Sequence, residues 1–203
     1  MRIPTRAQLE HGCTVFRQHE ARDAMYKTAT FLVDHFWGRP AKMADSLGVL
    51  LLTWNQAFYR YGPFDFGKLE GCIVKHIRVL EDYRQGSILD YTTRDDKRIK
   101  GLFADFLAAL AIADGRKKGD RSAVAVAKTL HLLAPGFFPL WDKKIAQAYS
   151  SDYSRRPAEQ YLSFLKMAQD MARKLQGVSL PPGKTLLKLI DEYNYAKFTK
   201  QWV

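Results

Sequence analysis

The chain has 203 residues, 47% of them hydrophobic and 13% aromatic, which excludes a disordered segment and leaves enough apolar side chains for a sizeable core. Its net charge of +11 and pI of about 9.6 point to an acidic partner: DNA, RNA or an anionic surface. No apolar run is long enough to span a membrane, MRIPTRAQLEHG has no signal-peptide core, and Cys13 and Cys72 have no zinc spacing. A cytoplasmic protein is expected, nucleoid-associated if prokaryotic, with free thiols, no metal and no cofactor.

Helical periodicity runs through nearly every segment and none alternates as a strand, so the predicted class is all-α. Pro4 suits a helix start, and the pattern from there to Trp37 fits one long or two shorter helices, ending at Gly38-Arg39-Pro40. A helix over about 41–61 contains LGVLLLTWNQAF, apolar almost all round and expected to be buried. Gly62-Pro63 stops it. The next helix starts at Asp65 or Phe66 and ends near Gln85-Gly86, and another covers 95–113 with Leu102, Phe106, Leu107 and Leu110 inward.

Residues 115–121 form a basic loop, with Asp120 or Ser122 as cap of the helix that carries Lys128. A Pro/Gly turn and the aromatic stretch FFPLW lead to Asp142 and a short helix to Tyr149. A helix over 158–175, a loop over 177–183 and a last helix from Thr185 complete the chain, whose tail aromatics are expected to pack that helix onto the body. Pro182-Gly183-Lys184-Thr185 lacks the first glycine of a phosphate loop, and Asp95-Asp96, flanked by Arg94 and Lys97-Arg98, reads as a solvated helix start.

Residues 114–156 hold nine Lys/Arg against four Asp, a net of +5 over 43 residues. Within this stretch Lys128 is the one charge in AVAVAKTLHLLA. Such a lysine commonly snorkels to solvent; held in an apolar pocket, its pKa falls and it becomes a usable amine nucleophile. His131, on roughly the same face, reads first as a core histidine with a satisfied hydrogen bond, and otherwise as a pocket residue. Asp142 stands where a carboxylate caps a helix. Phe137, Phe138 and Trp141 crowd it, and Lys143, Lys144, Arg116, Lys117, Lys118, Arg121, Arg155 and Arg156 are candidate phosphate contacts on either side.

The order of these parts resembles the helix-hairpin-helix DNA glycosylase superfamily, in its 8-oxoguanine and endonuclease III-like form. There a lysine helix is followed by a short connection and a catalytic aspartate opening the next helix, in patterns such as VPVDxxxxxIA. PLWDKKIAQAY is similar, with Ile145-Ala146 after Asp142. LLTWNQAFYR resembles the family's first conserved helix, with Asn55 and Gln56 where an Asn or Gln stands beside the gap left by a flipped base. The likeness covers residues 45–155. The family's hairpin glycines are absent from DRSAVAVAK, and the loop 115–121 would take over their phosphate contact.

The resemblance implies one all-α catalytic unit over 1–203, either undivided or two-lobed with the active-site cleft between the lobes, acting as a monomer on double-stranded DNA. It implies flipping of a modified base into a pocket, with Trp54, Tyr59, Phe138 and Trp141 as stacking faces. Asp142 would stabilise positive charge on the sugar, and Lys128 would form a Schiff base if the enzyme also cuts the strand. Which base, and whether the role is repair or phage defence, stay open. Two other readings stand beside this one: a non-enzymatic all-α DNA- or RNA-binding protein using the 114–156 patch, and a helical protein-interaction module.

Overall fold

The computed structural model describes residues 3–203. About 67% of the chain is helical and no β-strand occurs among the described residues; one antiparallel bridge joins Phe64 to Ile112. The all-α expectation holds. The segment predicted to begin at Pro4 is two helices. Helix α1 (Arg6–His19) starts with a capping box in which Thr5 and Gln8 satisfy each other's backbone N–H, and α2 (Ala24–His35) follows a break at Asp23, whose φ is +45°.

Helix α3 (Pro40–Trp54) begins with proline at its first turn and stops at Trp54, short of the expected Tyr61; a single turn, α4 (Gln56–Tyr59), completes that stretch. Helix α5 (Phe66–Gln85) is capped by Asp65, which accepts from the Lys68 N–H at 3.1 Å. It lies close to α3 because Gly48 leaves room for the Phe66 ring; a Cβ there would meet the ring at 2.1 Å. Gly62 turns between α4 and α5 with φ +145°, and a Cβ there would meet the Asp114 carbonyl oxygen at 2.8 Å.

Helix α6 (Asp96–Ala109) leads through the loop 110–122 to α7 (Ala123–Leu133), capped by Ser122, which accepts from the Ala125 N–H at 3.2 Å. α7 is the centre of the fold. It packs on α2, α3 and α6, and nine of its eleven residues are buried. That is why AVAVAKTLHLL is apolar all round.

The short α8 (Lys143–Ala148) is followed by α9 (Pro157–Lys174), which packs on α6, and by α10 (Leu186–Asn194), which packs on α1 and α9. α10 runs into a π-helical turn at Tyr195–Thr199 that contacts α1 and α8. One connected apolar core draws on all ten α-helices. Cys13 and Cys72 are free and buried, and burial pushes both thiols up to about 12. No described helix is long and apolar enough to cross a membrane.

Candidate functional site

A cavity of about 680 Å³ opens between the start of α2, the end of α3, α7, the start of α8 and α10. That size is typical of small-molecule sites. Lys128, Asp142 and Asp191 of α10 line it, together with Glu20, Arg22, Asp23 and Lys188.

Lys128 is the one charged residue of α7. Its Nζ donates to the Trp54 carbonyl oxygen at 2.7 Å and lies 4.6 Å from the centre of the Trp54 ring. The carbonyl belongs to the last turn of α3, which has no intrahelical donor, and the end of a helix dipole favours a cation. Half-burial, opposed by Asp191 and Asp142, lowers the Lys128 pKa from 10.5 to about 8. The amine is therefore more readily deprotonated than that of an exposed lysine.

Asp142 has both oxygens engaged. Oδ1 accepts the Ile145 N–H at 2.7 Å and so caps α8; Oδ2 accepts the Thr199 hydroxyl at 2.7 Å. The cap reading of Asp142 is therefore correct in itself, and it is also what fixes the carboxylate at the cavity wall. Trp141, immediately before it, is buried among Phe103, Tyr161 and Phe164, with its indole N–H donated to Ser151 Oγ at 3.2 Å.

An ion cluster forms part of the cavity wall, to which it contributes Asp23, Lys188 and Asp191. Lys188 is 2% exposed and sits 3.4 Å from Asp23, 3.5 Å from Asp191 and 3.9 Å from Glu192; Lys184 pairs with Glu192 and lies 3.8 Å from Asp23. Two lysines thus face three carboxylates. Burial raises the Asp191 carboxyl from 3.8 to about 6; Lys188 opposes the rise, and the like charges of Asp142 and Glu192 add to it. Tyr26 stands over Lys188, its ring centre 4.5 Å from Nζ. At the rim, His19 stacks on Trp202 at 4.0 Å, and Tyr195 meets Trp202 edge-on at 5.9 Å.

Of the residues assigned to the base pocket or gap, Trp54 and Trp141 line the cavity. The other five lie elsewhere. Asn55 turns away and donates to Ser122 Oγ at 3.3 Å, tying the end of α3 to the cap of α7, and Gln56 is exposed at the start of α4. Tyr59 is buried with its hydroxyl on the Leu110 carbonyl at 3.0 Å. Phe138 is buried against Tyr83 and Phe137. His131 is the core histidine: fully buried, Nδ1 2.7 Å from the Phe138 carbonyl oxygen and Nε2 3.2 Å from the Tyr26 hydroxyl. Burial holds its pKa down at about 3, and it acts on the cavity only through Tyr26.

The basic candidates divide. Lys143 and Lys144 are exposed directly beside Asp142. Arg116, Lys117, Lys118 and Arg121 are exposed on the loop before α7, where Lys117 lies 4.7 Å from the centre of the Tyr61 ring and 3.7 Å from Asp120; none of the four lines the cavity. Arg155 and Arg156 are exposed ahead of α9. The sequence reading missed Asp191, Asp23, Lys188, Tyr26 and Thr199. One signal was present: Lys188, Asp191 and Glu192 put charges at i, i+3 and i+4 in an otherwise apolar helix, the spacing of an internal ion cluster.

No family model, curated protein or solved structure matches the chain.

Proposed function

We propose that this protein is a DNA glycosylase that takes a modified base from double-stranded DNA into the cavity and cleaves its N-glycosidic bond. The observation that carries the reading is the meeting of Lys128, Asp142 and the half-buried ring of Trp54 in one cavity, drawn from three separate segments. A base stacked in a duplex is out of reach of such a cavity, so it must be flipped. The Trp54 ring can stack on the extruded base whatever its identity. The Asp142 carboxylate, fixed by two donors, stabilises positive charge as it develops at C1′. The Lys128 amine then condenses with the aldehyde of the abasic sugar, losing water to give a Schiff base, which adds strand cleavage to base loss. Lys143, Lys144 and the wider +11 charge supply attraction to phosphate. The helix-hairpin-helix glycosylase arrangement, within a single all-α unit acting as a monomer, is part of this proposal.

The alternative is a DNA- or RNA-binding protein without chemistry. One observation favours it: both Asp142 oxygens already have structural partners. A single assay separates the two. The protein is incubated with plain, 8-oxoguanine, uracil and alkylated duplexes and with phage DNA carrying modified cytosines, each read before and after alkali and with borohydride. Alkali-labile sites lost in Asp142→Asn support the glycosylase, and a borohydride adduct lost in Lys128→Ala supports the lyase step. Tight, salt-dependent binding with every DNA intact supports the binding protein.

A further inference from the structure

Four carboxylates line the cavity, Glu20, Asp23, Asp142 and Asp191, and base excision, as set out above, gives a task to Asp142 alone. Asp142 and Asp191 are placed differently. Asp142 accepts two hydrogen bonds from groups that cannot give up a proton at ordinary pH, the Ile145 amide and the Thr199 hydroxyl. Asp191 has one hydrogen-bonding neighbour, Lys188 at 3.5 Å, and shares that lysine with Asp23 and Glu192. Asp142 is thereby held by two short hydrogen bonds, whereas Asp191, which lines the same cavity, is held by one longer contact to Lys188.

We propose that Asp191 is the catalytic acid of this cavity, giving its proton to the departing nucleobase while Asp142 stabilises the sugar. The proposal rests on the base-excision reading. Leaving-group protonation and charge stabilisation ask opposite things of a carboxyl group, and one cavity with two differently housed carboxylates can divide the work. The surroundings of Asp191 fit the part. Lys188 and Glu192 flank it on α10, Asp23 and Tyr26 belong to the cluster from the start of α2, Lys184 pairs with Glu192, and Lys128, Asp142, Glu20 and Arg22 line the same cavity. Within this ring of charges burial lifts the Asp191 carboxyl to about 6, so it carries a proton in part of the population near neutral pH.

The step balances. The C1′–N bond breaks and its electron pair goes to the base nitrogen, which takes the Asp191 proton. Water adds its oxygen to C1′, and the proton that water releases restores the Asp191 carboxyl. The products are free base and an abasic sugar.

The test is single-turnover excision from about pH 5 to 9, for wild type, Asp191→Asn and Asp191→Glu. It uses whichever DNA of the panel wild type cleaves, together with the same DNA carrying an electron-withdrawing halogen on the excised base. Wild-type excision is expected to fall as pH rises above about 6. Asp191→Asn is expected to be about 10²- to 10⁴-fold slower, without that limb, and to recover part of the loss on the halogenated base, which leaves without protonation. Asp191→Glu keeps a limb. A wild-type pH profile in Asp191→Asn overturns the proposal, as does an equal loss on both leaving groups. If Asp191→Asn fails to fold or to bind DNA, a flat profile in Asp191→Glu overturns it instead. If wild type leaves every DNA intact, the base-excision reading itself has failed and this assignment goes with it.

Discussion

Thr199 reaches across 57 positions of the chain to donate its hydroxyl to Asp142 Oδ2 at 2.7 Å. It sits in the π-helical turn that ends α10, so the register of that turn decides which residue meets the carboxylate. Single π turns concentrate at functional positions. Thr199→Val should lower excision about tenfold and cost about 1 kcal/mol of stability, the ordinary value of one hydrogen bond. Thr199→Ser should restore both. The check is single-turnover rate beside thermal melting; a Val variant with a wild-type rate would remove Thr199 from the site.

Asp142 caps α8 and faces the cavity, and Asn can do only the first. Asn and Asp cap helices about equally well, whereas Ala costs roughly 1 kcal/mol. Asp142→Asn should therefore melt within about half a kcal/mol of wild type and form no abasic sites. Asp142→Ala should lose both stability and product. Melting curves and the alkali assay read the two effects independently.

The Lys128 amine is a nucleophile only when neutral. Its pKa lies near 8, so Schiff-base formation should increase as pH rises through 8 and level off above it. The sign is opposite to that expected for base loss. Borohydride trapping on a preformed abasic site, which bypasses excision, should show this rise, and a trapping rate independent of pH would argue against Lys128 as the nucleophile.

Asp191 ties stability to pH. Its folded pKa is raised, so between about pH 4 and 6 the folded chain holds a proton that the unfolded chain has released. The stability this confers is present below that window and lost as pH rises through 6. Asp191→Asn should melt higher than wild type at pH 8, by up to about 3 kcal/mol, and the difference should shrink toward pH 4. Paired melts at the two pH values give the answer.

Lys188 is the opposite case, a buried cation shared by three carboxylates. Lys188→Met should destabilise by about 3–5 kcal/mol, because Asp23, Asp191 and Glu192 would remain buried with Lys184 alone. A denaturant melt is sufficient. In Lys188→Met/Asp191→Asn part of the loss should return.

Lys128 and Asp142 could be read from the sequence because each carries a local signature. One is a lone charge in an apolar helix, and the other is a carboxylate at a helix start. The basic character of loop 115–121 was equally plain, but its position relative to the cavity depends on how that loop docks on Tyr61 and Ile112. Asn55 and Gln56 rest on the resemblance of LLTWNQAFYR to a family helix, and Tyr59 and Phe138 on being aromatic; neither says which side of a helix faces a void, while His131 is the core histidine it first reads as. The end of α3 at Trp54 is the physical reason for part of the error: it leaves Trp54 on the cavity and swings Asn55 onto Ser122. Asp191 and Thr199 reach the site only because α10 packs on α1 and the following turn on α8, contacts that no local pattern encodes.

The bond from Lys128 to the Trp54 carbonyl makes the indole a built-in optical reporter. When the amine is protonated, deprotonated or consumed in a covalent adduct, the charge 4.6 Å from that ring and the strength of the hydrogen bond to the last turn of α3 change. Emission from Trp54, isolated by replacing the other three tryptophans with phenylalanine, should follow the state of the nucleophile in real time, without a labelled substrate.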